Sequence, residues 1–442
     1  MSNEKELLRI LWHSVAAFVK SGYGNVTRNV TSRIIQRGYN VFVSAYYGLE
    51  PGGTMKIEGV PHLPSKIGQF GKVSCQLHAK RLRPDMCILH TDWWAFPWFP
   101  KMPFINVLYS PQDHTNYPEE LINLTKEYNY VLALCKFQME ELKNVGIDSY
   151  YVPHGVDVKT YHPIPIKEAR KETRFPPEAV VIGRVAANSD KEDRKSWARC
   201  FVALRLFFDN NPDARKDIFV YCHTNPTDTR GLPLPRFVHK QGLDEIVRFT
   251  DPVLSHIRLT DEEMCLMYNS FDFQLYPSKR EGFGLPIMES NACGRPNIVT
   301  DFSSMSEMVD YGKCGWLVKN FCSGENILTT AINACTALPD VYSIADTIED
   351  AYNHPKKIIT FGNKARKLAM DYDWDRVVEN YWIPFLEEVP KLEQKKRNME
   401  DKKKQEEFRK LYKKIKKKQI KKKMKKTIED LDEVIERNET KK

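Results

Sequence analysis

Twice along the chain, short apolar runs of strand length alternate with segments of helix length, and a proline-rich stretch separates the two sets. No other feature narrows the fold as far, because strands joined through helices pair in parallel, and a parallel sheet needs cover on both faces. In the first set, LLRILWHS reads as a strand. GNVTRNVTSRIIQRG follows as a helix with Val26, Val30 and Ile34 on one stripe and Gly38 at its end, and YNVFVSAYY is the next strand. DMCILH, FINVLYS, YVLALC and SYYVPHG continue the series. The separator DVKTYHPIPIKEARKETRFPPEA holds four prolines and many charges, which puts a domain boundary near Pro163. Beyond it AVVIGRVA, IFVYCHT, IVRFT, SFDFQLYPS, NIVTD and GWLVK read as strands and SWARCFVALRLFF as a helix. Two open α/β domains of Rossmann type are expected, over 1–162 and 163–370, facing across a cleft that holds the ligand outside the carboxyl ends of the strands.

Charge separates a third region from this body. From Lys391 to Lys442 lie 22 of the 67 basic and 11 of the 58 acidic residues, so this tail carries +11 and the remainder −2. Its apolar residues Phe408, Leu411, Ile415, Ile420, Met424, Ile428, Leu431 and Ile435 recur mostly every three or four positions. Three readings stay open: a basic amphipathic helix for an anionic membrane, nucleic acid or other polyanion, a solvated extension, or a coiled-coil partner helix. The ten cysteines are scattered without a CxxC pair, so neither a disulfide framework nor a structural zinc site is expected, and no metal is assigned. MSNEKELLRILWHS is too short and interrupted to be a signal, and the prolines of WWAFPWFPKMPFINVLY argue for a loop and a buried strand rather than a span. A cytoplasmic protein is the resulting expectation, with peripheral contact to a membrane left to the tail.

The densest chemistry lies in EGFGLPIMESNACGRP, from Glu281 to Pro296. SFDFQLYPS supplies the strand before it, KREGFG the turn, and LPIMESNACG a helix with Pro286 near its start and Gly294 near its end. Amides from Gly282 to Leu285 then face the cleft at a helix N-terminus, which favours anionic or oxygen-rich ligands. Glu281 and Glu289 flank them and suit a ligand with vicinal hydroxyls; a helix cap and a surface glutamate are the ordinary alternatives.

PSKREGFGLPIMESNACGRP resembles the donor-site signature of the retaining nucleotide-sugar glycosyltransferases of glycosyltransferase family 4, which have the two-domain GT-B fold. The likeness runs from about residue 7 to 385 and takes in SGYGNVTRNVTSRIIQRGYNV, YVPHGVD, IGRVAANSDKEDRKSW and LTDEEMCLMYNSFDFQLYPS. It implies a GT-B protein that transfers a sugar from a nucleotide-sugar donor, with no metal or other cofactor, to an acceptor left open among glycan, protein, lipid and small molecule. Arg184 and Lys195 match the basic pair that would neutralise the leaving diphosphate. Glu281 and the amides of Gly282, Phe283, Gly284 and Leu285 would hold the transferred sugar or its phosphate, and Glu289 the ribose. Ser21, Gly22, Tyr23 and Gly24 would complete the phosphate contacts from the first domain, and Asp113 and His114 are its candidates for a polar residue beside the reacting carbon. His13 and His154 are weaker candidates. The stretch 371–390 suits the helix that in this family crosses back to the first domain, with DYDWD as its acidic start rather than a metal motif. An epimerase or phosphorylase of the same plan, or a non-catalytic scaffold acting through the tail, are the competing readings.

Overall fold

A computed structural model describes residues 8–50, 52–251, 259–321 and 328–439. Residues before Leu8, and with them Leu7 of the first expected strand, lie outside these, as does Cys322. The first lobe is an eight-stranded sheet in the order β3-β4-β2-β1-β5-β6-β7-β8. Its strands are β1 (Arg9–Val15), β2 (Asn40–Tyr47), β3 (Met55–Ile57), β4 (Val60–Pro64), β5 (Met86–Leu89), β6 (Ile105–Tyr109), β7 (Tyr130–Ala133) and β8 (Tyr150–Tyr151). All pair in parallel except the β3/β4 hairpin at the edge, which the sequence reading missed. Near-continuous burial of β1 and β5 is what a parallel strand covered on both faces requires.

The second lobe repeats the plan in six strands, ordered β11-β10-β9-β12-β13-β14 and all parallel. These are β9 (Val180–Val185), β10 (Ile218–His223), β11 (Val247–Phe249), β12 (Phe273–Tyr276), β13 (Asn297–Thr300) and β14 (Trp316–Val318). A glycine interrupts β9 because a Cβ at Gly183 would occupy the ring of Phe271. The proline-rich separator is not all coil: Ile166–Thr173 forms a helix, and buried Arg170 ties it to the Ser270 carbonyl at 3.1 Å and to Asp272 at 2.6 Å.

In each sheet chain order reverses at one place, between β1 and β5 in the first and between β9 and β12 in the second. The loops leaving these strands diverge and open a crevice at the carboxyl ends, the usual ligand position in such sheets. The lobes are fastened beside these crevices. Arg28 meets Asp261 at 2.8 Å, and buried Glu307 accepts from the Lys136 amide and the Tyr151 hydroxyl, each at 2.7 Å. The Asp373 carboxylate caps the short helix Trp374–Val377 through the Asp375 amide, while Asp375 binds Arg33 at 2.7 Å and Trp382 packs on Trp12 and Tyr109. DYDWD thus stands at a helix start whose following residues pack on the first lobe.

Residues 384–442 separate as a second unit. One helix runs from Ile383 to Glu439 with Pro390 inside it, so the onset of the basic tail at residue 391 is not a break in structure. Of the expected apolar stripe, Leu411 is exposed; the side chains of Phe408, Ile415 and Ile420 to Ile435 lie outside the described ones. Among the described residues no helix is long and apolar enough to cross a membrane.

Candidate active site

The Glu281 bend is built from behind. The Ser304 hydroxyl donates to the carbonyls of Glu281 and Phe283, both at 2.9 Å, and the Glu281 amide donates to Ser303 Oγ at 3.1 Å. Buried Gln274 on β12 donates to the Pro286 carbonyl at 3.0 Å, which anchors the start of the helix Leu285–Ala292 to the sheet. Gly284 caps that helix at φ +91°, a conformation that favours glycine. With the loop carbonyls held from within, the amides of Gly282, Phe283, Gly284 and Leu285 have no acceptor among the described residues. Unused N–H groups at a helix N-terminus carry partial positive charge.

Cations gather around this turn. Lys195 Nζ pairs with Glu281 Oε1 and donates to the Tyr276 hydroxyl at 2.7 Å. Arg194 reaches Glu281 Oε2 at 3.3 Å, and Arg280 lies 3.9 Å from Asp113 and 3.5 Å from Glu192. Burial, with the charges of Arg194 and Arg184, brings the Lys195 amine down to about 8 against the pull of Glu281. Glu281 is raised by burial but brought below the usual carboxylate range by Lys195 and Arg194, so the pair stays ionised near neutrality. Arg280 Nη1 is buried with no partner among the described residues.

Arg184 does not sit where the sequence reading placed it. Its guanidinium is 1% exposed, stacked 4.4 Å from the centre of the Trp197 ring, and donates to the Leu275 carbonyl at 2.7 Å and to the carbonyl of Lys195. A β9 side chain pointing into the layer between sheet and helix finds backbone acceptors there before it reaches the cleft. Arg184 therefore supports Lys195 from below, and the arginine beside Glu281 is Arg194, which the motif spacing did not reveal.

From the first lobe, Ser21 Oγ accepts from the Gly24 amide at 3.1 Å as the cap of the helix Gly22–Gln36, and Gly24 has no room for a Cβ against the Val19 carbonyl. A Cβ on Gly22 would lie 3.7 Å from Leu285, and one on Gly282 would collide with Pro111, so both glycines lie where the lobes approach. Tyr23 donates to Asp92 Oδ1 at 2.8 Å. Asp113 meets His114 Nδ1 at 2.7 Å; burial raises this carboxyl, but His114, Arg280 and Arg194 more than reverse the effect and lower it. Asp92, raised by burial and by the Asp113 charge, feels Arg194 and His114 as well, so it belongs to this group although the sequence reading passed over it. Only its place, three residues beyond β5 in MCILHTD, signalled it.

Glu289 accepts from the Tyr268 hydroxyl at 2.7 Å on the helix Leu285–Ala292, and burial raises its carboxyl to about 7. His13 lies within β1, and His154 is buried among Tyr109, Trp374 and the ring of Phe283 behind the turn; burial lowers both imidazoles and keeps them neutral. Among the described residues no three His, Cys, Asp or Glu side chains form a metal-holding group.

Two parallel-sheet lobes with facing crevices define the GT-B class. A solved structure of sucrose-phosphate synthase from Thermosynechococcus elongatus has the same fold, with a TM-score of 0.67 at 14% identity over 88% of this chain and 98% of that one. The Anabaena protein HepE, solved in complex with UDP-glucose, gives 0.63 at 14% identity over 87% and 99%. Residues 219–335 match the family described as Glycosyl transferases group 1. That stretch, about a quarter of the chain and all within or beside the second lobe, is similar to the group 1 glycosyltransferases. D-inositol 3-phosphate glycosyltransferase 2 of Catenulispora acidiphila is 28% identical over 233 residues, 51% of this chain and 50% of that protein, so the chain spans about half the length of this curated relative.

Proposed function

We propose that the protein is a retaining glycosyltransferase that moves a sugar from a nucleotide sugar to an acceptor without a metal ion or other cofactor. The observation that carries this reading is the set of unaccepted amides from Gly282 to Leu285 beside Lys195, Arg194 and Arg280. Fixed N–H dipoles and cations in a site screened from water stabilise charge appearing on a leaving group and need little rearrangement when it appears. Breaking the bond from the sugar C1 to the diphosphate leaves the electron pair on the phosphate oxygen. In this reading Lys195 and Arg194 neutralise that charge, aided by the four amides. The acceptor hydroxyl attacks the face the phosphate leaves, and its proton passes to the departing oxygen, so configuration is kept. Glu281, already paired with Lys195, orients the sugar and the lysine rather than acting as a free base. Glu289 takes the ribose hydroxyls, the Ser21 to Gly24 loop approaches the phosphates, and Asp92, Asp113 and His114 position the acceptor.

The UDP-glucose held by HepE makes uridine sugars the first donors to try. The relatives' name makes D-inositol 3-phosphate one acceptor to include. The basic tail provides a surface for an anionic membrane or other polyanion. A thermal-shift panel of nucleotide sugars tests the core of this reading: one donor stabilises the protein, and Lys195→Met weakens the effect. NMR of the product anomer, and turnover in a chelator, check retention and metal independence. If no donor shifts the melting point and neither transfer nor hydrolysis is seen, the reading is wrong.

A further inference from the structure

The first lobe contains a cavity of about 490 Å³ apart from the Glu281 turn. Its walls include Trp93, Gln112, Tyr117, Leu121, Glu141 and Val145. Trp93 and Gln112 are 2% and 4% exposed, yet Trp93 Nε1 and Gln112 Nε2 have no hydrogen-bond partner among the described residues. Buried N–H groups are seldom left unsatisfied, so this cavity is made for an occupant that brings acceptor oxygens. Charge restricts that occupant further. No lysine or arginine is among its described lining residues, and Glu141, which borders it, has its carboxyl raised by burial. An anion would find neutral donors and a carboxylate there, with no counter-charge. The rings of Trp93 and Tyr117, 5.7 Å apart and edge to face, supply flat apolar surface.

Position ties the cavity to the reacting centre. Gln112 directly precedes Asp113 and His114, and the hydroxyl of Tyr117 accepts from the His114 amide at 3.1 Å. One loop thus forms a cavity wall and carries the groups assigned to the acceptor.

We propose that this cavity binds an uncharged, hydroxyl-bearing ring, a sugar or polyol unit of the acceptor, packed on Trp93 and Tyr117 and accepting from Trp93 Nε1 and Gln112 Nε2. The inference rests on the transferase reading and deepens it: the acceptor unit seated here is neutral. Its size suits one or two such rings, within the usual range of small-molecule pockets.

Saturation-transfer NMR on the full chain tests it with methyl β-D-glucopyranoside and maltose as neutral probes and glucose 6-phosphate as the anionic one. Expected are transfer to the neutral probes, binding of the phosphate at least about tenfold weaker, a loss of about tenfold in Gln112→Leu, and none remaining in Val145→Phe, which fills the space. Val145 has no role in the donor site, so the donor-induced thermal shift stays at its wild-type size in Val145→Phe and shows that the variant is folded. The proposal is overturned if the donor shift is present and no neutral probe receives saturation, since the cavity then holds water only. It is also overturned if glucose 6-phosphate binds as well as the neutral probes, or if Val145→Phe leaves their binding unchanged. An absent donor shift in the wild type would count against the transferase reading itself and remove the basis of this one.

Discussion

Donor binding should weaken on the alkaline side through a single group, Lys195. Its amine is lowered from the ordinary 10.5 to about 8, with burial the main cause and Arg194 adding to it. A diphosphate placed against Nζ supplies the missing counter-charge and returns the amine toward its ordinary value. Below pH 8 the lysine is charged with or without donor, so this group adds no pH dependence there. Above it the free protein must take up a proton to bind, and Kd rises about tenfold per pH unit until the bound lysine itself titrates. At about 1.4 kcal/mol per pH unit, the full recovery is worth about 3 kcal/mol, or roughly two orders of magnitude in Kd between pH 8 and 10.5. The diphosphate diester of a nucleotide sugar keeps a constant charge there, and the uracil ring of a uridine sugar, which loses a proton in this range, affects wild type and Lys195→Met alike, so the lysine is read from the difference between the two. Calorimetric titration from pH 7 to 10.5 reads the slope, with Lys195→Met as the control: weaker at pH 7 and without the lysine's alkaline slope. A wild-type profile with no alkaline slope, or the same slope in Lys195→Met, would refute the contact between this lysine and the phosphates.

On the acid side, the Glu289 carboxyl stands at about 7, raised chiefly by burial, and the ionised form accepts from ribose hydroxyls. Affinity should therefore rise as pH increases through 7, and Glu289→Gln should lose about tenfold at pH 8 and the acid dependence with it; an unchanged profile removes Glu289 from the ribose site. Arg184→Met should lower stability by about 3 kcal/mol in denaturant unfolding, because the carbonyls of Leu275 and Lys195 lose a charged donor. Normal stability with donor binding lost would instead return Arg184 to direct phosphate contact. Deleting Lys391 to Lys442 should leave donor hydrolysis intact while abolishing binding to anionic vesicles, itself steeply weakened by salt. Hydrolysis lost with the tail would show that the body does not work alone.

The strands of both sheets were legible because a strand covered on both faces must be apolar nearly throughout, as in ILWHSV and VVIG. The β3/β4 hairpin was not: Met55–Ile57 and Val60–Pro64 are short, partly exposed and contain proline, so neither periodicity nor hydrophobicity marks them. The helix Ile166–Thr173 hid among charges because Arg170, its buried anchor, is held to the sheet through Ser270 and Asp272, about a hundred positions away. At the site the same limit recurs. The Glu281 turn is local in sequence and readable from its glycines. Arg184 could be found by its neighbours but not aimed, since its direction depends on where the Leu275 carbonyl falls after folding. Asp92 and Arg280 join the group through contacts between lobes that no short motif encodes.

Gly282 and Pro111 touch where there is no space for even a methyl group, a hydrogen on one side and a rigid ring on the other. Neither has a rotamer with which to yield. The gap between the Glu281 bend and the loop that carries Asp113 is therefore gauged by a glycine and a proline ring, like a machined stop, and substitutions elsewhere can reshape the walls of that gap without altering its width.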